Sequence, residues 1–185
     1  AQTGPDGSYR TGPVPSGDYR VQFSDPSAVW ATQYWNQQFT QATAQTLSVS
    51  VTNGPTASGI DGILVAAATV SGTVTDQGGQ PLAVICVSAN IPRNGGADNV
   101  GQTTTAADGT FTIIGLPPTD LRFQYHDCNP TAHYLDQWYG GATDASNSPA
   151  VVVSPGEQRT GIDAALARGV SIAGTVTDAT GAPIA

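Results

Sequence analysis

The 185 residues carry a formal charge of −8 at pH 7, from 14 acidic and 6 basic side chains, and the basic ones are all arginine. Such a chain lacks the basic patch that nucleic acid or an anionic membrane surface needs, and no apolar run approaches the roughly 18–20 residues of a membrane span. Abundant glycine (22) and proline (13), many Thr, Ser and Val residues and no long helical run place it in the all-β class.

In chain order, residues 1–68 hold Asp6-Gly7-Ser8-Tyr9, then Val14-Pro15, then Asp18-Tyr19-Arg20-Val21-Gln22-Phe23. An aromatic group follows (Trp30, Gln33, Tyr34, Trp35), and then Val49, Val51, Gly54, Gly59, Ile60 and Asp61. Each has a counterpart 102 residues on: Asp108-Gly109-Thr110-Phe111, Leu116-Pro117, residues 120–125, and Val151, Val153, Gly156, Gly161, Ile162 and Asp163. Only the aromatic group slips by two, pairing Trp30, Gln33, Tyr34 and Trp35 with Tyr134, Gln137, Trp138 and Tyr139.

The next segment, Val70-Ser71-Gly72-Thr73-Val74-Thr75-Asp76, returns as Ile172-Ala173-Gly174-Thr175-Val176-Thr177-Asp178, with eight identities over the fourteen positions from Val70 to Ala83. A repeat of this length is a whole domain. The expected units are a partial one at 1–68 that lacks its opening strands, a complete one at 69–168, and the opening strand of a third at 169–185. With no methionine and no signal peptide, the sequence reads as a processed chain or a fragment.

Within the complete unit, apolar Val70 and Val74 alternate with Ser71, Thr73 and Thr75, the period of a half-buried strand. Residues 76–81 are a turn by composition. The apolar run 82–89 predicts a central strand, 94–99 a loop and 102–105 a short polar edge strand. Asp108-Gly109 signals a hairpin. Strands at 110–114 and 120–126 precede a long loop, 127–148, and strands at 149–154 and 159–167 close the unit. Seven short strands with turn punctuation describe an immunoglobulin-like β-sandwich.

Cys86 and Cys128 both fall in the complete unit. The leading reading is a disulfide formed in an oxidising compartment, with two unpaired buried thiols as the alternative.

Gly72-Thr73-Val74-Thr75-Asp76, Gly79-x-Pro81-Leu82-Ala83, Asp108-Gly109-x-Phe111 and Gly115-Leu116-Pro117-Pro118 together resemble the carboxypeptidase regulatory-like domain of secreted bacterial proteins. That domain is related in outline to collagen-adhesin B-type stalk domains. The resemblance implies tandem seven-stranded, prealbumin-like sandwiches serving as spacer, stalk or adhesion module. It also implies the Cys86–Cys128 bridge. The first copy has Pro26 where Cys128 falls, and Thr119 stands where many such domains keep the glycine found at Gly17.

Catalytic chemistry finds little here. A zinc peptidase needs paired histidines with a glutamate, and the chain has His126, His133 and the single Glu157. His126, Cys128 and His133 could bind metal, but a disulfide would remove the thiolate, so no metal and no cofactor is expected. There is no Gly-x-Ser-x-Gly elbow and, without lysine, no phosphate-binding P-loop and no lysine-derived amide crosslink. The aspartates Asp76, Asp98, Asp108, Asp136 and Asp144 are scattered singly, as turn chemistry places them, not gathered for calcium.

The aromatics Trp30, Tyr34, Trp35, Tyr134, Trp138 and Tyr139 allow two readings. Their recurrence suits a loop sealing the sandwich or contacting the next unit; exposed Trp and Tyr on a β-sandwich also suit a carbohydrate-binding module. The expected role is a non-catalytic repeat of an extracellular stalk, surface filament or adhesin shaft, secreted or on the cell surface. Neighbouring repeats are its partners, with identical subunits exchanging residues 172–178 as a second mode of assembly and a glycan as the alternative ligand. The short connection at 164–170 predicts a semi-rigid rod.

Overall fold

A computed structural model describes residues 1–53, 56–129, 134–170 and 173–184. Gly54 of the first copy, His133 of the metal candidates, and Ile172 and Ala185 of the last repeat segment lie outside the described residues. The strands are β1 (Gly17–Tyr19), β2 (Gln22–Phe23), β3 (Gln33–Tyr34), β4 (Leu47–Val49), β5 (Ala68–Asp76), β6 (Ile85–Arg93), β7 (Gly96–Thr104), β8 (Thr110–Leu116), β9 (Asp120–Asp127), β10 (Gln137–Trp138), β11 (Val151–Val152), β12 (Gln158–Arg159) and β13 (Ala164–Leu166). Helix among the described residues is confined to 3-10 turns at Val51–Asn53 and Tyr139–Gly141. Among the described residues no helix is long and apolar enough to cross a membrane.

Two sheets face each other in residues 68–166. One runs β10-β9-β6-β7, with β11 beside β10 on the same edge of β9; the other has β8 on one edge of β5 and β12 and β13 on the other. The alternation read from the sequence decides the faces. Val70 and Val74, Ile85, Val87 and Ala89, Phe111 and Ile113, and Leu121, Phe123 and Tyr125 point into one buried cluster. Burying each large side chain is worth about 1.5–3 kcal/mol. The Phe111 and Tyr125 rings meet edge to face across the sheets, centroids 6.3 Å apart.

β5 runs antiparallel to β8 but parallel to β12 and β13. The single strand expected at 159–167 is therefore two pieces. Between them Asp163 Oδ1 accepts the Thr73 N–H at 2.8 Å and Ser71 O accepts the Ile162 N–H at 3.2 Å, so a side chain replaces part of the ladder. Gly72 is required at this crossing, because a Cβ there would lie 2.3 Å from Ile162 O.

Three other expectations are corrected. The central strand begins at Ile85, not residue 82, because Val84 sits in the left-handed region (φ 62) and offers its carbonyl to the Cys128 N–H at 3.2 Å. It then runs on to Arg93, and the expected loop at 94–99 is mostly strand: β6 and β7 form one hairpin around Asn94-Gly95, with Arg93 and Asp98 paired at 2.7 Å. β7 is an edge strand, which is why so polar a segment can belong to it.

Asp108-Gly109 makes a tight turn, but the strands it joins belong to opposite sheets, so it is not a hairpin. A Cβ at Gly109 would sit 2.5 Å from Val74 O, so the turn packs onto β5 and throws β7 and β8 apart. The loop 127–148 contains β10, paired to β9 at Gln137↔Tyr125 and Trp138↔Gln124.

In residues 1–68, β1 pairs with β4 and β2 with β3. Gln22↔Tyr34 and Phe23↔Gln33 stand at the same aligned positions as Gln124↔Trp138 and Tyr125↔Gln137. The Tyr9 and Phe23 rings meet edge to face at 5.7 Å, as do their counterparts Phe111 and Tyr125. Past residue 172 the bridge Thr177↔Pro183 repeats Thr75↔Pro81, and the described residues there pair with no other strand.

Candidate functional site

The six aromatics divide into three aligned pairs with different surroundings. Trp30 lies beside residues 65–67 and Tyr134 beside residues 167–168. Trp30 bridges to Ala66, with Ala31 N–H donating to Val65 O and Ala67 N–H to Val29 O, both at 2.9 Å. Tyr134 bridges to Arg168, with Leu135 N–H donating to Ala167 O at 2.9 Å, and the Arg168 guanidinium stands 5.6 Å from the centre of the Tyr134 ring. Residues 65–67 and 167–168 are thus each held by an aromatic-bearing loop that precedes them in the chain.

Tyr34 and Trp138 are strand residues. Each sits opposite a glutamine, Gln22 and Gln124; the residue after Gln124, Tyr125, points into the core, and the one after Gln22, Phe23, is half-buried against Tyr9. Their rings therefore lie on an outer sheet face. Of the third pair, Tyr139 packs with Tyr134 against the buried cluster, while Trp35 is partly buried and its N–H donates to Val21 O at 2.9 Å.

Two aspartates that the sequence reading passed over set these loops. Asp25 Oδ2 accepts the N–H groups of Val29 and Trp30 at 3.0 and 3.1 Å. Asp127 Oδ2 likewise accepts the Tyr134 N–H at 3.0 Å. The Ser27 hydroxyl and N–H, with the Trp30 and Val29 N–H groups, hold the Asp25 carboxyl below its usual range. The signal was the aligned pair Asp25 and Asp127, each heading an Asx-type turn: Asp25 accepts the Ser27 N–H and Asp127 the Asn129 N–H.

Cys86 and Cys128 are joined by a disulfide, Cα atoms 5.7 Å apart, closing a loop of 42 residues. Beside it His126 Nδ1 and Asp136 Oδ1 lie 2.7 Å apart on the solvent side. No cluster of His, Cys, Asp or Glu able to hold a metal occurs among the described residues. Asp76, Asp108 and Asp144 accept hydrogen bonds within their own turns, and Asp98 pairs with Arg93.

No protein-family model and no curated protein matches the chain. Among solved structures it is similar to the dioxygenase domain of a dioxygenase–carbohydrate-binding protein fusion from the cellulolytic bacterium Streptomyces sp. SirexAA-E. That match has 21% identity over 57% of this chain and 80% of that one, with a TM-score of 0.31. It is also similar to a streptococcal ancillary pilin, at 12% identity over 84% of this chain and 43% of that one, with a TM-score of 0.40. The chain therefore spans less than half of the pilin's length.

Proposed function

We propose that the chain is a non-catalytic structural segment of an extracellular stalk, surface filament or adhesin shaft, built from tandem seven-stranded, prealbumin-like sandwiches of the carboxypeptidase regulatory-like kind. The units are those at 1–68, 69–168 and 169–185. The observation that carries this reading is the parallel pairing of β5, which opens the complete unit, with β13, which closes it. The chain thereby enters at one end of the sandwich and leaves at the other, the arrangement an end-to-end array requires.

The connecting segments add to this. Residues 65–67 are bonded to the Trp30 loop on one side, and Ala66 O accepts the Gly156 N–H of the following unit at 3.3 Å on the other. A connection held from both sides transmits orientation from unit to unit. The disulfide fits a secreted or surface location, where neighbouring repeats and identical subunits are the partners. A carbohydrate-binding role for the loop aromatics draws support only at Trp138, whose ring joins a polar row on the outer sheet face.

Small-angle scattering on a chain holding two or more complete units tests this proposal. A rod whose longest dimension grows by a constant step per added unit is the expected result; freely reorienting units would defeat the reading.

A further inference from the structure

The sheet β10-β9-β6-β7 buries one face, and its other face carries a row of side chains in register. Trp138 stands opposite Gln124, Gln124 opposite Ser88, and Ser88 opposite Gln102. With strands 4.7–4.9 Å apart the row is about 14 Å long. His126, Cys86 and Thr104 flank it on one side, and Arg122, Asn90 and Asn99 on the other. The Cys86–Cys128 bridge ties this face to the start of the loop that presents Trp138.

Much of the hydrogen-bonding capacity here is unused. Among the described residues, the Trp138 indole N–H and the Gln124 and Gln102 amides have no protein partner. Ser88 and Asn90 are bonded to each other, which stiffens the middle of the row.

The row itself contains an aromatic ring, two amides and a hydroxyl, and no charge. Asp136 is already paired with His126, and among the described residues flanking the row in register Arg122 is the one arginine. A polyanion would meet this face on a chain of net charge −8, and a protein partner would want an apolar centre that the row lacks. A neutral sugar chain suits it: the flat C–H face of a pyranose covers an indole ring, while amides exchange hydrogen bonds with ring hydroxyls.

We propose that this face binds a neutral oligosaccharide laid across the strands, with Trp138 stacked on one sugar ring and Gln124 and Gln102 bonded to hydroxyls of successive rings along the row. The proposal stands apart from the stalk reading, since it needs only the complete unit.

The test is affinity electrophoresis of the 185-residue chain through gels containing hydroxyethylcellulose, xylan, mannan or, as the anionic arm, pectin. Titration with the matching neutral hexasaccharides, followed by tryptophan emission, gives affinities. The expected result is retardation by at least one neutral polymer that survives high salt. Trp138→Ala should weaken binding by about tenfold or more, Gln124→Ala and Gln102→Ala should each weaken it severalfold, and Trp30→Ala should leave it unchanged. The exposed Gln102→Ala variant keeps the test valid if Trp138→Ala fails to fold. Retardation by no neutral polymer, by pectin alone, or to the same extent in Gln102→Ala and Gln124→Ala as in the parent chain would overturn the proposal.

Discussion

The Tyr125 hydroxyl donates to the Ile162 carbonyl at 2.8 Å, from the sheet of β9 to the chain between β12 and β13. The aligned carbonyl in residues 1–68, Ile60 O, also receives a tyrosine hydroxyl at 2.6 Å, but from Tyr9. Tyr9 aligns with Phe111 and Phe23 with Tyr125, so the two aligned segments keep one Phe, one Tyr and one hydroxyl-to-carbonyl bond while exchanging which ring supplies the hydroxyl.

Removing that hydroxyl by Tyr125→Phe leaves a buried carbonyl unpaired and should lower unfolding stability by about 1–3 kcal/mol. In the double variant Tyr125→Phe, Phe111→Tyr, a hydroxyl supplied from β8 should recover part of the loss. Urea midpoints of the three proteins decide the matter.

The same bond has a pH signature. Burial, followed by the nearby Tyr139 and Asp163, pushes the Tyr125 hydroxyl above its ordinary value. The folded state therefore holds its proton where the unfolded state has released it. This contribution is complete below about pH 10, the unfolded value, and declines as pH rises beyond it toward the folded value. Thermal melts between pH 8 and 11 should show a fall that steepens above pH 10 and is smaller in Tyr125→Phe.

At the other end of the pH scale, Asp25 has a depressed folded value. Its support for the Trp30 loop is full above the unfolded carboxylate range and fades as pH drops through the folded value. Asp25→Asn should lower the amide-exchange protection factors of Val29 and Trp30 at neutral pH, and acidification should lower the same protection factors, corrected for the intrinsic pH dependence of exchange, in the parent protein.

Among the described residues of 68–166, Val84 is the one non-glycine residue in the left-handed region, where a branched side chain is strained. Val84→Gly should raise stability by about 0.5–1 kcal/mol after the entropic cost of glycine. A lower urea midpoint for that variant would show that the Val84 side chain, 43% exposed, makes contacts worth more than the strain.

The Cys86–Cys128 bridge closes 42 residues, and by the chain-entropy estimate its loss costs about 3–4 kcal/mol. Replacing both cysteines with serine should lower the urea midpoint by the corresponding amount, and reductant should destabilise the parent chain but not the variant.

The strand faces were legible because period-2 alternation survives in Val70, Val74 and Leu121, Phe123, Tyr125, where one side is buried. Strand ends were not, since they depend on partners: β7 reaches Gly96 only because β6 pairs with it that far. Asp108-Gly109 has hairpin chemistry, yet the sequence holds no sign that Gly109 packs on Val74 O. At the aromatic loops the spacing showed that Trp30 and Tyr134 correspond. Their contacts with residues 65–67 and 167–168 are encoded in the chain's return path, which no local pattern records.

The parallel pairing of β5 with β12 and β13 decides how a pulled unit gives way. Tension applied through Ala68 and Leu166 runs along strands that lie side by side in the same direction, so the hydrogen bonds between them are loaded together in shear and not opened one after another. Gly72, by letting Ile162 approach β5 without a side chain between them, keeps that clamp closed at its centre. The disulfide lies on the opposite sheet, outside the path the tension follows, and shortens the extension available once the clamp has failed.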